Sequence, residues 1–429
     1  MKRLQTYAPI TGVFILALLI RIAYNLTIAR NYMPLYDAAL YNTLGHQLAD
    51  RGCYCLYGHY PSVSRPPLWP FILAFIYTFV GKEEFYGRLF YCFLGSGTCS
   101  VIYLFSRDLF GRKTALFSGI LAAIYPCLFI YDGWLYTESL YIFCLTACVY
   151  ALYRLQLQYT HFSKKSPGEK RWLNCVWQVL RHHRWALLCG LLIGLAALAR
   201  PNGIFLLGLV VLWAILIILA KIQSWKPVLK DTLLIACIAL VIVLPWSYRN
   251  YQVSHSFVLV STGMGEALAG AYNNAVLEGG PSISGTWRPT ARSSNHDAYN
   301  YSPKDDAVDT ARALHWIRTH ISTLPYLLGL HFINMWIPYT YSHGLAFEEP
   351  SGSSMYPIMI VTIYVLASIV IFFAFVGLFL TWKQYKFQLL VIYLLALVIL
   401  QNVLFYSDMR FRAPIEPVLV ILAGRALYG

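Results

Sequence analysis

The sequence is poor in charge. Of its 429 residues only 12% are Asp, Glu, Lys or Arg, against roughly 25% in an ordinary soluble domain. Acids are scarcer than bases, 19 against 33, which leaves a formal net charge of +14. The alternating short segments of a membrane β-barrel are missing. Metal-ligand spacing is missing too: the ten cysteines are scattered, mostly inside apolar runs, and Cys53-Tyr54-Cys55 is the only close pair. No internal repeat stands out, so an inverted-repeat transporter has no support. No small-residue cleavage site follows the first apolar run, so that run is expected to stay as a span and not to leave as a signal peptide.

What is there is apolar: 58% of the chain is hydrophobic, in long runs along its whole length. The expectation is an all-α, polytopic integral membrane protein. About ten spans are expected, near 7–29, 88–105, 114–130, 139–155, 185–199, 202–220, 232–246, 356–380, 387–405 and 414–428. Between Arg154 and Arg184 the chain carries Arg154, Lys164, Lys165, Lys170, Arg171, Arg181 and Arg184 against the single Glu169. Basic loops stay on the cytoplasmic side, which puts 156–183 inside and both termini with it. The same bias explains the net charge without a nucleic-acid partner. Three segments follow: a membrane core at 1–247 with a long first outer loop at 30–87, an extracytoplasmic segment at 248–354, and a three-span C-terminal segment at 355–429.

The first outer loop holds Asp37, the first acidic residue of the chain. Tyr41, Leu44 and Leu48 follow at helical spacing, and Arg51-Gly52 ends that helix. Ser64-Arg65-Pro66-Pro67 then introduces an aromatic-rich helix over 68–80, too short to span and expected in the membrane interface. In the outer segment, Asp305 to His320 reads as an amphipathic helix with Ala307, Ala311, Leu314 and Ile317 on one face. The apolar stretch 324–341 contains His331, Asn334 and Pro338 and is expected to be interfacial or re-entrant.

On this topology Asp37, Arg65, Arg88, Glu138, Arg200, Arg249, Arg410 and Arg412 all fall at the outer boundary. A carboxylate can take the proton from an attacking hydroxyl or amine, which makes Asp37 the candidate general base. The bland alternative is a cap on the helix that begins at Ala38. Glu138 is the candidate second carboxylate, with a helix first turn as its alternative use, and Asp132 is a weaker rival. Arg65, Arg88, Arg410 and Arg412 are candidate phosphate ligands, because guanidinium forks match phosphate oxygens. Their alternative is snorkelling to lipid headgroups; Arg21 and Arg200 read as snorkelling or packing residues. His46, His59 and His331 are read as hydrogen-bonded residues and not as metal ligands.

The order of these parts resembles a family. An acidic residue just after span one, a Tyr a few residues on, a Gly-containing turn and Arg65-Pro66-Pro67 before an aromatic helix look like the GT-C class of multi-pass glycosyltransferases. Protein O-mannosyltransferases and lipid A aminoarabinose transferases are the members it resembles most. The resemblance covers the first two hundred residues best, plus Arg410-Phe411-Arg412-Ala413-Pro414 at the last span. It implies a GT-C helical bundle that takes a sugar from a polyprenyl-phosphate carrier at the outer face of the plasma membrane. The partners it implies are the lipid-linked donor, membrane lipids and an acceptor that it does not name. Some members use a divalent cation and others do not, so that point stays open. The O-mannosyltransferases carry an Asp-Glu pair where this chain has Asp37-Ala38, so the second carboxylate has to come from elsewhere. The alternative reading is a multi-pass lipid or solute transporter or flippase.

Overall fold

The computed structural model describes residues 2–56, 60–162, 172–278, 284–289, 301–340, 345–348, 355–383 and 385–428. Its helices are α1 (Lys2–Leu26), α2 (Asp37–Arg51), α3 (Leu68–Phe79), α4 (Glu84–Phe110), α5 (Arg112–Ile124) and α6 (Pro126–Phe129). They continue with α7 (Glu138–Phe162), α8 (Trp172–Ala199), α9 (Leu206–Leu219), α10 (Trp225–Ser254), α11 (Met264–Ala271) and α12 (Pro303–Thr319). The chain closes with α13 (Leu324–Trp336), α14 (Met355–Leu380), α15 (Tyr385–Leu404), α16 (Met409–Arg412) and α17 (Glu416–Tyr428). Among the described residues the only β pairing is an isolated bridge between Cys55 and Pro61.

Six of these helices are long and apolar enough to cross a membrane: Ala8–Leu26, Glu84–Phe110, Glu138–Thr160, Pro201–Leu219, Trp225–Ser254 and Met355–Leu380. A seventh crossing is broken. The run expected as one span at 114–130 bends by 66° between Arg112–Ile124 and Pro126–Gly133. Pro126 is the cause: its ring drives Tyr125 out of the helical region, to φ −77° and ψ 114°. The remaining expected spans also fall on helices: the apolar segment His183–Ala199 of α8, Leu390–Leu404 of α15, and α17. By length and composition six or seven of the described helices pass as crossings on their own. α17, on the last expected run, has 13 residues and is buried from Glu416 to Gly424, packed against α5 and α14.

Arg21 and Asp132 show how the core handles charge. Both are essentially inaccessible, and Arg21 Nε donates to Asp132 Oδ2 at 2.6 Å. An unpaired ion at such a place is costly, so each requires the other. Of the two uses open to Arg21, snorkelling and packing, the structure shows packing.

The loop after α1 folds as two helices laid against each other, α2 on α3. Gly45 makes the close approach possible, since a Cβ there would lie 2.8 Å from Leu73 Cβ. Tyr77 Oη donates to Asn42 Oδ1 at 2.5 Å, and the Tyr77 ring stacks on His46 at 4.3 Å. Trp69 is fully buried and donates to Leu135 O at 2.7 Å. The opposite face of α3 presents Phe71, Phe75 and Phe79, all exposed, at i, i+4 and i+8.

In the outer segment α12 forms where the sequence pattern places it, but turned. Ala307, Ala311 and Leu314 are exposed, whereas Asp309, Ala313 and Trp316 are buried. Polar bonds set this register. Asp306 Oδ1 accepts from the Gly263 and Gly265 N–H groups, Asp309 Oδ2 accepts from Tyr301 Oη, and Trp316 Nε1 donates to Asn274 Oδ1. α13 ends at Trp336, before Pro338, and its 13 residues fall short of the roughly 20 that a crossing needs.

Gly45→Leu should lower the apparent melting temperature of the purified protein, because overpacking costs typically 1–3 kcal/mol. Gly12→Leu, where nothing lies within 4 Å, is the control and should leave it nearly unchanged. Equal melting of the two variants would show that α2 and α3 can separate at no cost.

Candidate functional site

Asp37 is the first residue of α2. The residue before it, Tyr36, has φ 51° and ψ −128°, a region that costs a non-glycine residue roughly 1–3 kcal/mol. The turn out of α1 thus enters α2 under strain, at the residue that precedes the carboxylate. Among the described residues no backbone N–H of α2 bonds to that carboxylate. It turns instead to Arg65, whose Nη2 lies 2.9 Å from Asp37 Oδ1, and to Arg410, whose Nη2 lies 3.9 Å from Oδ2. The helix-cap use of Asp37 is therefore not the one this structure shows.

Glu138 opens α7 and is 1% exposed. Its Oε1 accepts from Arg200 Nη1 at 2.7 Å and from Arg410 Nε. Arg410 therefore bridges the two carboxylates, one from the first outer loop and one from the start of α7. Asp37 Oδ1 and Glu138 Oε1 are each held by charge-assisted bonds, the stronger kind.

Each arginine is itself positioned. Tyr54 Oη donates to the carbonyls of Arg65 and Pro66, at 2.9 and 3.0 Å. Arg249 Nη1 donates to Ser62 O at 2.6 Å and its guanidinium lies 4.7 Å from the Trp246 ring centroid, which braces the loop from α10. Arg200 follows the end of α8. Arg410 lies in α16, whose start is capped by Asp408 accepting from the Arg410 N–H. Its guanidinium stacks 4.4 Å from the Tyr136 ring centroid and 5.4 Å from that of Trp134.

The other two arginine candidates lie elsewhere. Arg88 is buried and donates to Asn25 Oδ1 at 3.1 Å and Ala29 O at 2.6 Å, which ties α4 to the end of α1. Arg412 is inaccessible; it donates to Glu416 Oε1 at 2.6 Å and to the carbonyls of Met335 and Ile337, both at 2.9 Å. Of the pair Arg410 and Arg412, it is Arg410 that reaches the carboxylates. Alternation along a tight helical turn explains this: residues two apart point to different sides.

Two members of the site were not picked out from the sequence. Arg200 reads from sequence as a snorkelling or packing residue, although it lies at the same boundary. Glu266, on the first turn of α11, sits in the electrostatic reach of Arg65 and Asp37. No residue pattern around it signals this, because α11 meets the first outer loop only in three dimensions.

The electrostatics follow from the arrangement. Burial pushes the Asp37 carboxyl up, but the Arg65 and Arg410 guanidinium groups and the Arg65 hydrogen bond outweigh it. The carboxyl is held below its ordinary value of 3.8. Two carboxylates against three guanidinium groups leave this paired cluster with one positive charge in excess. Two buried polar atoms in it, Glu138 Oε2 and Arg65 Nε, have no hydrogen-bond partner, and such atoms are exceptional in a folded core. The excess positive charge and the free Arg65 Nε–H suit an anion, and the free Glu138 Oε2 suits a hydrogen-bond donor. Both carboxylates are engaged by arginines, and the described residues contain no group of three or more His, Cys, Asp or Glu side chains that could hold a metal ion. His46 stacks on Tyr77, His331 Nδ1 bonds Val403 O at 2.8 Å, and His59 lies outside the described residues.

The helical bundle with this site at the start of α2 and α7 has the fold of the GT-C membrane glycosyltransferases. Residues 64–161, from Ser64 before the first-loop arginine to the last turn of α7, match the family model of dolichyl-phosphate-mannose-protein mannosyltransferase. The whole chain superposes on the Archaeoglobus fulgidus oligosaccharyltransferase tethered to an acceptor peptide, with TM-score 0.58, 12% identity, and 100% of this chain against 50% of that one. A complex of the archaeal oligosaccharyltransferase AglB from the same organism, with an inhibitory peptide and a dolichol-phosphate, gives TM-score 0.57, 13% identity, and coverage of 99% and 50%. ArnT from Cupriavidus metallidurans, bound to undecaprenyl phosphate, gives TM-score 0.45, 14% identity, and coverage of 98% and 78%, too weak a likeness to argue from. At these identities the likeness is one of fold, and the chain spans about half the length of the archaeal enzyme. No curated protein matches the sequence.

Arg410 and Arg412 should separate in stability. Arg412→Ala leaves Glu416 buried without its partner, a change that costs about 3–5 kcal/mol. Arg410→Ala leaves Glu138 still paired with Arg200 and should cost clearly less. Thermal unfolding of both variants in detergent checks the order, and a reversed order would contradict the assigned pairing.

Proposed function

We propose that this chain is a glycosyltransferase that moves a sugar from a polyprenyl-phosphate carrier to an acceptor, with Asp37 as general base, at the outer face of the membrane. The observation that carries the reading is the meeting of Asp37 and Glu138 with Arg65, Arg200 and Arg410. The matched family and the archaeal fold relative supply the substrate class: one is described by a dolichyl-phosphate-linked mannose, and the other was solved with a dolichol-phosphate.

In the transfer, an acceptor hydroxyl or amine attacks the anomeric carbon. The bond from that carbon to the phosphate oxygen breaks, polyprenyl phosphate leaves, and the acceptor proton passes to Asp37. Negative charge grows on the leaving phosphate, where fixed guanidinium groups stabilise it. Arg65 and Arg410 are placed for this. They also depress Asp37, so a phosphate that draws their hydrogen bonds away makes Asp37 more basic once the donor is bound. Glu138, with Arg200, holds Arg410 at the centre.

The outer-face placement rests on charge. Glu138 begins α7 and Arg154 lies 16 residues further on, about 24 Å along the axis at 1.5 Å per residue. Arg154 pairs with Asp108 at 2.8 Å at the end of α4, next to the basic stretch that reads as cytoplasmic. Cysteine-accessibility labelling should find 30–87 and 248–354 outside and 156–183 inside. Labelling of 156–183 from the outside would invert the site.

Asp37→Asn keeps the size but cannot take a proton at neutral pH. Transfer from a lipid-linked sugar should fall about 10²–10⁴-fold, with donor binding retained; wild-type rates would remove Asp37 as the base. Arg65→Met tests the electrostatics. It removes the strongest charge that lowers the Asp37 pKa, so the acid limb of the pH–rate profile should move to higher pH. The sign is fixed, because Asp37 acts only when deprotonated and its pKa rises when a cation is lost. An unmoved acid limb would uncouple the pair.

A further inference from the structure

Glu266 is set apart from the other acids around the site. Asp37 and Glu138 are ion-paired with arginines. Asp306 accepts from the N–H groups of Gly263 and Gly265 at 2.9 and 2.7 Å, and Asp309 pairs with Arg312 at 2.9 Å. The Glu266 carboxylate, half-buried, has no hydrogen bond or ion pair among the described residues. Its place is nevertheless fixed. Thr262 N–H donates to Val63 O at 3.0 Å, two residues before Arg65, and Thr262 Oγ1 donates to Tyr301 O at 3.1 Å. Gly263 turns into α11 at φ 115°, in the left-handed region that favours glycine. Gly265 lies so close to α12 that a Cβ would stand 2.0 Å from Asp306 O. The first turn of α11 is thus clamped between α12 and the loop that carries Arg65, with Glu266 on it.

We propose that Glu266 binds the acceptor: its carboxylate accepts a hydrogen bond from the hydroxyl- or amine-bearing end of the acceptor and holds the nucleophile over Asp37. Both its oxygens are available, whereas Asp37 already shares its oxygens with Arg65 and Arg410. Burial raises the Glu266 carboxyl above its ordinary value, Arg65 opposes this, and Asp37 adds to it, as expected for a group inside the same field. Its charge also offsets the odd cation of the paired cluster. A half-buried carboxyl kept without a partner costs stability, and such costs collect at functional sites. The outer segment thereby contributes acceptor recognition, while the first loop and α7 contribute donor chemistry.

This inference rests on the transferase reading. The test uses the full-length protein, a polyprenyl-phosphate-linked mannose, and two acceptor probes, a seryl peptide and ethanolamine. Glu266→Gln and Glu266→Ala should raise the acceptor KM at least tenfold with the donor KM unchanged, and Glu266→Asp should recover part of the loss. Both neutral variants should melt no lower than the wild type. A lower melting temperature with both KM values unchanged would make Glu266 structural and overturn the inference, while Asp37→Asn still abolishes transfer. Wild-type protein that consumes no donor with either probe would instead overturn the transferase reading, and this inference with it.

Discussion

One guanidinium group holds the site together. Arg410 reaches both Asp37 and Glu138, which are separated by the whole of the first outer loop and three further helices. Like charges do not settle side by side in a partly buried place without a cation between them. Here Arg65, Arg200 and Arg410 supply that charge, and each is anchored by a different element. The loop after α1, the start of α7, the end of α8 and the short α16 are thereby brought to one place. Each carboxylate meets two guanidinium groups, and Arg410 is common to both, so the cluster links the geometry of distant segments.

The surrounding protein is arranged to keep that cluster rigid. α3 turns three exposed phenylalanines outward and buries Trp69 against the α7 side of the site through Leu135 O. Arg249 and Tyr54 brace the loop that bears Arg65. The bend at Pro126 brings Tyr125 Oη to Glu416 Oε2 at 2.9 Å, and Glu416 in turn holds Arg412. The second arginine of the Arg-x-Arg pair thus fixes the start of α17 while the first faces the carboxylates. For the proposed glycosyl transfer, charges that do not have to reorganise contribute most.

Much of the fold was legible from composition and periodicity. A membrane core has no water to satisfy backbone groups, so long apolar runs become helices, and every expected run is helical in the structure. Boundaries and crossings were less legible. The bend at Tyr125-Pro126 and the buried 13-residue α17 look like ordinary spans in sequence, because hydropathy does not distinguish a lipid-facing helix from a core helix. α12 appeared where expected but rotated, because Asp306, Asp309 and Trp316 bond inward and outweigh the weak preference of Ala307, Ala311 and Leu314. At the site, Asp37, Glu138, Arg65 and Arg410 could be named from their boundary positions. Arg200, which reads as a snorkelling or packing residue, pairs with Glu138 instead, and Arg88 and Arg412, candidate phosphate ligands by sequence, pack into the core.

By itself the sequence determined the class: an apolar helical chain, sided by its lysines and arginines, with an acidic residue and an Arg-Pro-Pro turn in its first long loop. Those features are local, and local physics reads them. Only the tertiary structure decided which charges meet. Arg410 and Arg412 have the same chemistry and nearly the same place in the chain, but neighbours on either side of a short helical turn face different surroundings. Glu266 carries no sequence signal at all; it enters the site because Thr262 bonds to Val63 and Asp306 clamps the turn. Pairing of charges across hundreds of residues depends on which helices pack together, and periodicity within any one of them does not contain that information.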